Sequence, residues 1–228
     1  MTAAEFEHVT IRENGDPLTD LMSHPLACDP SYFRRGLSPT SAMYLRLTVA
    51  EMLVDIQRAL APLAFKIWDG YRPRLVQRNI FEDYLATLRA DHPDMSEDEL
   101  QKRAEVFVTD PGSSRRIPPH ATGGAVDLTL VDAYGRELDM GTPYDHFGPE
   151  SAALYFEDNA WNTTARNNRR ILRDAMTGAG FRIDADEWWH FDFGNQIWAA
   201  HYNEPVACYG EIEVFDPPEL GPTAVGRG

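Results

Sequence analysis

Two short segments of the sequence carry the side chains that a hydrolytic metal centre requires. His120 and Asp127 lie seven positions apart, and two glycines between them let the backbone bend so that both side chains can face one point. Glu187 lies three positions before His190. A catalytic zinc ion takes three protein ligands and one water molecule, and a nearby carboxylate accepts the proton of that water. We therefore expect His120, Asp127 and His190 to bind one zinc ion and Glu187 to act as the base.

The residues next to Asp127 and Glu187 in the sequence are mostly apolar, which affects the charge and the pKa expected of each. Asp127 lies in an otherwise apolar run, where a buried charge calls for a metal or an arginine as compensation. Trp188 and Trp189 follow Glu187, and apolar walls raise the pKa of a carboxyl group toward that of a working base. A lone loop histidine such as His120 is more often a surface or core residue than a ligand. The assignment therefore depends on the whole set.

An arginine joins this set from the motif Trp-Asp-Gly-Tyr-Arg-Pro at residues 68–73. Arg72 follows a predicted strand, at a position where loop residues commonly reach an active site. A guanidinium group there is suited to bind the oxyanion of a tetrahedral intermediate. The alternative for Arg72 is an ordinary surface ion pair.

Two other kinds of site use similar ligands. Two histidines and a carboxylate form the facial triad of non-haem iron oxygenases. In those enzymes the carboxylate usually follows the first histidine by two positions, whereas here the spacing is seven. A purely structural zinc module is the second alternative, but it needs neither a base such as Glu187 nor an oxyanion donor such as Arg72.

The elements that hold these residues are predicted as alternating helices and strands. A helix that begins near residue 38 and a later one near residues 75–85 have apolar residues every three or four positions, and a short strand at 65–68 lies between them. Ser96 and Glu99 form a capping box for a third helix that runs to about Val108. The remaining predicted elements are a β-hairpin at 124–131 and 136–138, a helix at 163–176, strands at 181–183 and 188–193, and a loose tail after about 215.

Composition limits the class of protein. The 228 residues contain no internal repeat and no linker, so we expect a single domain over residues 1–228. With 21 Lys and Arg against 36 Asp and Glu, the net charge is -15, which excludes nucleic acid as an expected partner. The start of the chain has neither the basic nor the apolar region of a secretion signal, and no 18-residue apolar run suggests a membrane span. With only two cysteines, Cys28 and Cys208, we expect reduced thiols and a cytoplasmic location.

The three motifs, in this order, resemble those of the zinc D-alanyl-D-alanine dipeptidases of the vancomycin-resistance type. These enzymes are relatives of the zinc D,D-carboxypeptidases and share the fold of the Hedgehog signalling domain. The resemblance rests on residues 68–73, on His-x6-Asp at 120–127 and on Glu-x-x-His at 187–190, and it spans roughly residues 60–195. It implies an α+β domain with a central, mainly antiparallel sheet flanked by helices.

The resemblance also implies the role of each site residue. One zinc ion lies on the three ligands named above, Glu187 acts as base and then as acid, and Arg72 stabilises the intermediate. Asp145 receives the free ammonium group of the dipeptide, and Asp69 and Tyr71 contribute to substrate binding. The implied activity is hydrolysis of D-alanyl-D-alanine, a small dipeptide derived from peptidoglycan chemistry.

One departure from the family pattern affects specificity. Pro118 and Pro119 stand where the family usually has small hydroxyl residues that line the substrate site. The metal chemistry is unaffected, but the preferred dipeptide is open. A D,D-carboxypeptidase acting on peptidoglycan stem peptides is the alternative within the family, and the absence of a secretion signal counts against it.

Overall fold

Residues 8–107, 117–159 and 161–212 are described by the structure, which is a computed structural model. Within them the chain forms nine β-strands and seven α-helices. The strands are β1 (Thr10–Ile11), β2 (Leu18–Asp20), β3 (Ala27–Cys28), β4 (Tyr44–Arg46), β5 (Ala64–Asp69), β6 (Ala125–Val131), β7 (Arg182–Ile183), β8 (His190–Asp192) and β9 (Val206–Ala207). The helices are α1 (Ser31–Arg34), α2 (Leu47–Leu60), α3 (Arg74–Asp91), α4 (Glu97–Phe107), α5 (Tyr155–Asp158), α6 (Thr163–Gly178) and α7 (Gln196–Tyr202).

The central sheet has five strands in the order β3-β5-β6-β8-β7. The β3–β5 pair is parallel and the other three pairs are antiparallel. All seven residues of β6 are buried, as expected for a strand covered on both faces. The α+β fold with a mainly antiparallel sheet flanked by helices is therefore confirmed. The register places Asp127 of β6 directly between Asp69 of β5 and His190 of β8.

Two amphipathic helices cover the strands that carry the predicted site. Helix α2 packs against β5 and α6, and α6 also packs against β6. Val49 and Leu53 of α2 and Leu172 and Met176 of α6 belong to one apolar core. Burial of such side chains is the main source of stability for this layer. In the described part of the chain, no helix is long and apolar enough to cross a membrane.

The first long helix begins later than predicted. Residues 44–46 form β4, paired with β2, and α2 starts only at Leu47. Tyr44, Leu45 and Arg46 are all buried, which an amphipathic helix does not allow for three consecutive side chains. Arg46 donates to the Thr122 carbonyl oxygen at 2.8 Å. The prediction of a start near residue 38 was wrong because Leu45 fits the helical spacing although it lies in the strand.

Other predicted elements agree more closely with the structure. The capping box of α4 is present, with the Ser96 backbone N–H donating to the Glu99 carboxylate at 3.0 Å. Helix α6 covers the predicted range and ends at Gly178. The predicted hairpin after β6 is reduced to one bridge between Val131 and Glu137. The stop predicted after α4 and the loose tail predicted at the end of the chain lie outside the described residues.

Candidate metal centre

The structure brings His120, Asp127 and His190 to one point. Asp127 on β6 and His190 on β8 are paired across the sheet, and Asp127 Oδ1 lies 3.0 Å from His190 Nδ1. His120 lies on the 3-10 turn Pro119–Thr122 just before β6, and its Nε2 is 3.2 Å from His190 Nδ1 and 3.4 Å from Asp127 Oδ1. All three side chains are buried. These are the three residues that the sequence predicts as ligands.

Hydrogen bonds on the far side of each imidazole determine which nitrogen faces this point. His120 Nδ1 lies 2.8 Å from the Gly70 carbonyl oxygen, and His190 Nε2 lies 3.2 Å from Asp192 Oδ1. Because both partners only accept, we assign the protons to these two nitrogens. As neutral ligands of a metal ion, the two rings would then present His120 Nε2 and His190 Nδ1 without protons. Two bare nitrogens and a carboxylate oxygen that converge in this way fit a zinc ion.

The partner of His190 is itself held in place. Asp192 is fully buried and accepts from Arg182 Nη1 at 2.7 Å and from Asn195 Nδ2 at 2.7 Å. Carboxylates behind a metal-binding histidine fix its orientation and raise its basicity. Asp192 is not among the residues predicted from the sequence. A charged residue within the apolar strand, two positions after His190, is the feature that could have indicated it.

A tyrosine holds the second oxygen of Asp127. Tyr144 donates its hydroxyl proton to Asp127 Oδ2 at 2.8 Å, and its ring stacks on Trp68 with centroids 4.6 Å apart. The same oxygen lies 3.6 Å from Arg72 Nη2. Asp127 Oδ1 is thereby the oxygen left to face the two histidines. Tyr144 was also missed, because nothing in its local sequence indicates a distant partner.

Glu187 lies in the turn between β7 and β8, and its carbonyl oxygen accepts from the His190 backbone N–H at 3.3 Å. Burial raises the pKa of the Glu187 carboxyl group well above its usual range, while the neighbouring His190 lowers it and the charge of Asp127 raises it further. The following Trp188 and Trp189 are both buried, as the predicted apolar wall requires. A raised pKa makes the carboxylate a stronger proton acceptor, which is the direction that a general base requires.

Arg72 is buried beside the ligands rather than exposed on the surface. Its Nε donates to Asp69 Oδ2 at 2.7 Å and its Nη1 to Gln77 Oε1 at 2.8 Å. Its backbone N–H donates to the His120 carbonyl oxygen at 3.1 Å. The ordinary surface ion pair is therefore excluded for Arg72. Asp69 acts here as the carboxylate that fixes the guanidinium group, and Asp69 Oδ2 also lies 3.4 Å from His120 Nδ1.

Two tyrosine hydroxyl groups connect Asp145 to the ligand Asp127. Its Oδ1 accepts from the Tyr32 hydroxyl at 3.1 Å, and the Tyr32 and Tyr144 hydroxyls are 3.1 Å apart. Its Oδ2 pairs with Arg35 Nη1 at 2.5 Å. Burial, with a contribution from the charge of Asp127, raises the pKa of Asp145 to about 6.

Tyr71 contacts the end of the described chain and lines a pocket. Its hydroxyl donates to the Ile212 carbonyl oxygen at 3.2 Å, and with Asp69 and Arg72 it lines a pocket of about 200 Å³. The prolines that depart from the family pattern are buried at the turn that carries His120. They shape the backbone at the ligand and offer no hydroxyl group to a substrate.

Comparisons with known proteins add a family match to this geometry. The family model Peptidase_M15, described as D-ala-D-ala dipeptidase, matches residues 39–211, which extends the predicted resemblance at both ends. A D-alanyl-D-alanine dipeptidase of Synechocystis sp. is 28% identical over 90% of this chain and 95% of its own length. Another, from Escherichia coli (strain K12), is 34% identical over 58% of this chain and 56% of its own. A solved structure of a variant of the vancomycin-resistance D,D-pentapeptidase VanY in complex with Zn(II) aligns over 90% of this chain and 97% of its own, with 16% identity and a TM-score of 0.41.

Proposed function

Because the chain belongs to the D-ala-D-ala dipeptidase family Peptidase_M15, we propose that it is a zinc-dependent dipeptidase that hydrolyses D-alanyl-D-alanine to D-alanine. The observation that carries the proposal is the convergence of His120 Nε2, Asp127 Oδ1 and His190 Nδ1 at one buried point, all within 4.8 Å of one another. Glu187 lies three residues before His190, the ligand with which β8 begins. A purely structural zinc site has no need of such a base.

The reaction adds water to the peptide carbonyl and breaks the carbon–nitrogen bond. A zinc ion on the three ligands supplies a water of lowered pKa and polarises the carbonyl oxygen. Glu187 accepts the proton of the attacking water and passes it to the leaving amine. The half-buried position of Glu187 beside Trp188 and Trp189 raises its pKa, which suits both halves of this transfer.

Arg72 is proposed to stabilise the negative charge that develops on the carbonyl oxygen. Its Nη2 lies 3.6 Å from Asp127 Oδ2, so the guanidinium group lies beside the metal ligands. Asp69 and Gln77 hold it in place before substrate arrives, and a donor that needs no reorganisation is the effective kind. Asp69 and Tyr71 are proposed to contribute the wall of the neighbouring pocket to substrate binding.

Asp145 is proposed to bind the free ammonium group of the dipeptide. Its carboxylate is buried, and it connects to Asp127 through the hydroxyls of Tyr32 and Tyr144. A largely enclosed carboxylate in this position would select substrates with a free amino terminus. This favours a dipeptide over the stem peptides of polymeric cell wall, which distinguishes the proposal from a D,D-carboxypeptidase.

We propose that residues 1–228 form one catalytic domain that works in the cytoplasm. Both apolar cores of the described residues pack against Tyr144, which donates to Asp127, so the site lies where the two cores meet. Cys28 and Cys208 are free thiols, which suits a reducing compartment. Small dipeptides are the proposed partners, and no nucleic acid or membrane surface is assigned.

The test is a panel of substrates offered to the purified zinc-loaded protein. D-Ala-D-Ala should be cleaved, whereas L-Ala-L-Ala, N-acetyl-D-Ala-D-Ala and a tripeptide ending in D-Ala-D-Ala should be cleaved slowly or not at all. Faster release of the terminal D-alanine from the tripeptide would instead support the carboxypeptidase alternative. Zinc binding without cleavage of any of the four would contradict the proposed substrate and direct attention to Pro118 and Pro119.

A further inference from the structure

The carboxylate proposed to bind the substrate ammonium group already faces a cation of the protein. Arg35, the residue that follows α1, places its Nη1 2.5 Å from Asp145 Oδ2. Asp145 also accepts from the Tyr32 hydroxyl at 3.1 Å, and the Arg35 guanidinium group lies 5.5 Å from the centre of the Tyr32 ring. A dipeptide ammonium group and Arg35 are therefore two cations with the same acceptor.

Arg35 has a second acceptor on the outer side. Its Nη2 lies 3.0 Å from Asp83 Oδ2, on α3. The exposed fractions of the side chains are 14% for Asp145, 38% for Arg35 and 48% for Asp83, so the arginine lies between an inner and an outer carboxylate. If Arg35 leaves Asp145, it keeps Asp83 and the solvent as partners. Loss of the contact with Asp145 therefore costs this side chain little free energy.

We propose that Arg35 is a displaceable counter-ion of Asp145, which the ammonium group of an incoming dipeptide replaces while Arg35 moves outward to Asp83. This inference rests on the proposed function, because it takes Asp145 as the ammonium acceptor. Arg35 keeps the buried carboxylate paired when the site is empty, and each substrate must compete with it. A peptide without a free ammonium group cannot replace Arg35 beside Asp145, so its binding should not depend on Arg35.

The competition determines the direction of the effect of mutation. Replacing Arg35 by Ala removes the competing cation, so the KM for D-Ala-D-Ala should fall about three- to fivefold, the range expected for a partly exposed ion pair. The kcat should stay unchanged, because Arg35 contacts no metal ligand in the described residues. Replacing Arg35 by Lys retains the cation and should leave KM near that of the unaltered protein. As a control, Arg34→Ala removes a neighbouring guanidinium group that pairs with Asp29 instead, and it should change neither constant.

The experiment measures KM and kcat for D-Ala-D-Ala with the zinc-loaded protein and these three variants, together with the inhibition constant of N-acetyl-D-Ala-D-Ala. Arg35→Ala should leave the inhibition constant of the acetylated peptide unchanged, since that peptide has no ammonium group. A higher KM in Arg35→Ala would overturn the inference, because Arg35 would then be holding Asp145 in its binding position. An equal fall in KM in Arg34→Ala would also overturn it, by showing a general effect of surface charge. Absence of cleavage by the unaltered protein would instead overturn the proposed function, and the inference with it.

Discussion

At the residue scale, four of the carboxylates around the metal centre have pKa values shifted in two opposite directions. The pKa values of Asp127 and Asp192 lie below their usual range. Burial alone would raise them, but the neighbouring His120 lowers the pKa of Asp127, and the neighbouring His190 lowers that of Asp192, by more. Burial dominates at Glu187 and Asp145 and raises their pKa values. Such separation of environments lets carboxylates of one site take different roles. Asp127 and Asp192 remain anions that hold the centre, whereas Glu187 and Asp145 can exchange a proton.

Glu187→Gln tests the proposed base. The change keeps the size of the side chain and removes its ability to accept a proton, so kcat for D-Ala-D-Ala should fall at least about 100-fold. Zinc content should remain at that of the unaltered protein, because Glu187 is not one of the three converging ligands. Glu204→Gln, at an exposed position, is the matched control and should retain full activity. Full activity in Glu187→Gln would remove this residue from the role.

Tyr144→Phe tests the hydrogen bond to the second oxygen of Asp127. The ring can keep its stacking on Trp68, while the 2.8 Å hydrogen bond is lost. Partners of metal ligands are typically worth about 10- to 100-fold in metal affinity, so the zinc dissociation constant should rise about tenfold. Competition with a chelator measures this constant without reference to activity. Tyr134→Phe, on a side chain that is 84% exposed, should leave it unchanged; equal affinities in all three proteins would contradict the role of Tyr144.

The raised pKa of Asp145 predicts a pH dependence of substrate binding. Burial and the charge of Asp127 raise this pKa to about 6, while Arg35, Arg72 and the hydrogen bond from Tyr32 oppose the shift. Because the neutral acid cannot attract an ammonium group, KM for D-Ala-D-Ala should rise as the pH falls from 7.5 through 6 to 5. Asp145→Asn should have a high KM that lacks this step. A constant KM across the range in the unaltered protein would contradict the assignment.

The sequence indicates the residues proposed to bind zinc and react more readily than the residues that hold them in place. His120, Asp127, Glu187 and His190 could be proposed because their types and spacings belong to contiguous motifs. Tyr144 could not be assigned to Asp127, since the contact depends on a loop that returns to the sheet. Local sequence contains no information on that return.

At the element scale, the ends of three neighbouring strands position the centre. β5 ends at Asp69, β6 carries Asp127 near its start, and β8 begins with His190, so antiparallel pairing brings these positions side by side. Glycine is required where the backbone approaches closely. A Cβ atom on Gly70 would lie 2.5 Å from the Tyr44 carbonyl oxygen, and the Gly70 carbonyl oxygen is the acceptor of the His120 ring.

Gly124→Ala tests the close packing at the start of β6. The new methyl group would collide with the Phe193 carbonyl oxygen and lie 2.8 Å from Tyr209 Cδ2, and neither the strand nor the buried ring can move away freely. We expect the free energy of unfolding to fall by about 2 kcal/mol or more. Gly178→Ala meets no atom within 4 Å and should leave stability nearly unchanged. Denaturant titration measures both variants, and equal stabilities would show that the loop before β6 relaxes.

Long elements could be predicted from the sequence more readily than short ones, although the predicted strands at 181–183 and 188–193 are present as the short β7 and β8. Helices α3, α4 and α6 have enough turns for a repeating apolar face, and β6 has a long run of apolar and β-branched residues. β1, β3 and β9 have two residues each, which is too short for any periodicity. Their existence depends on partners far along the chain. β4 was likewise not predicted, because it is short and its partner β2 lies about 25 residues earlier.

At the scale of the whole molecule, both ends of the described chain brace the turn that carries His120. β1 pairs with β9, so the early and late segments lie together. The Arg46 guanidinium group donates both to the Glu13 carboxylate and to the Thr122 carbonyl oxygen. The Ile212 backbone N–H donates to the Ala121 carbonyl oxygen at 3.0 Å. The motifs alone therefore do not form the centre. Residues outside the predicted range of resemblance hold its first ligand and, through Tyr32 and Arg35, complete its substrate side.

Titration of the metal-depleted protein with zinc, followed by release of D-alanine from D-Ala-D-Ala, tests the central claim most directly. We predict no turnover after metal removal, a linear rise in rate with added zinc, and a plateau at one zinc ion per chain. His190→Ala, which removes one converging ligand, should show no such rise. Full turnover by the metal-depleted protein, or binding of one zinc ion without any release of D-alanine, would contradict the account.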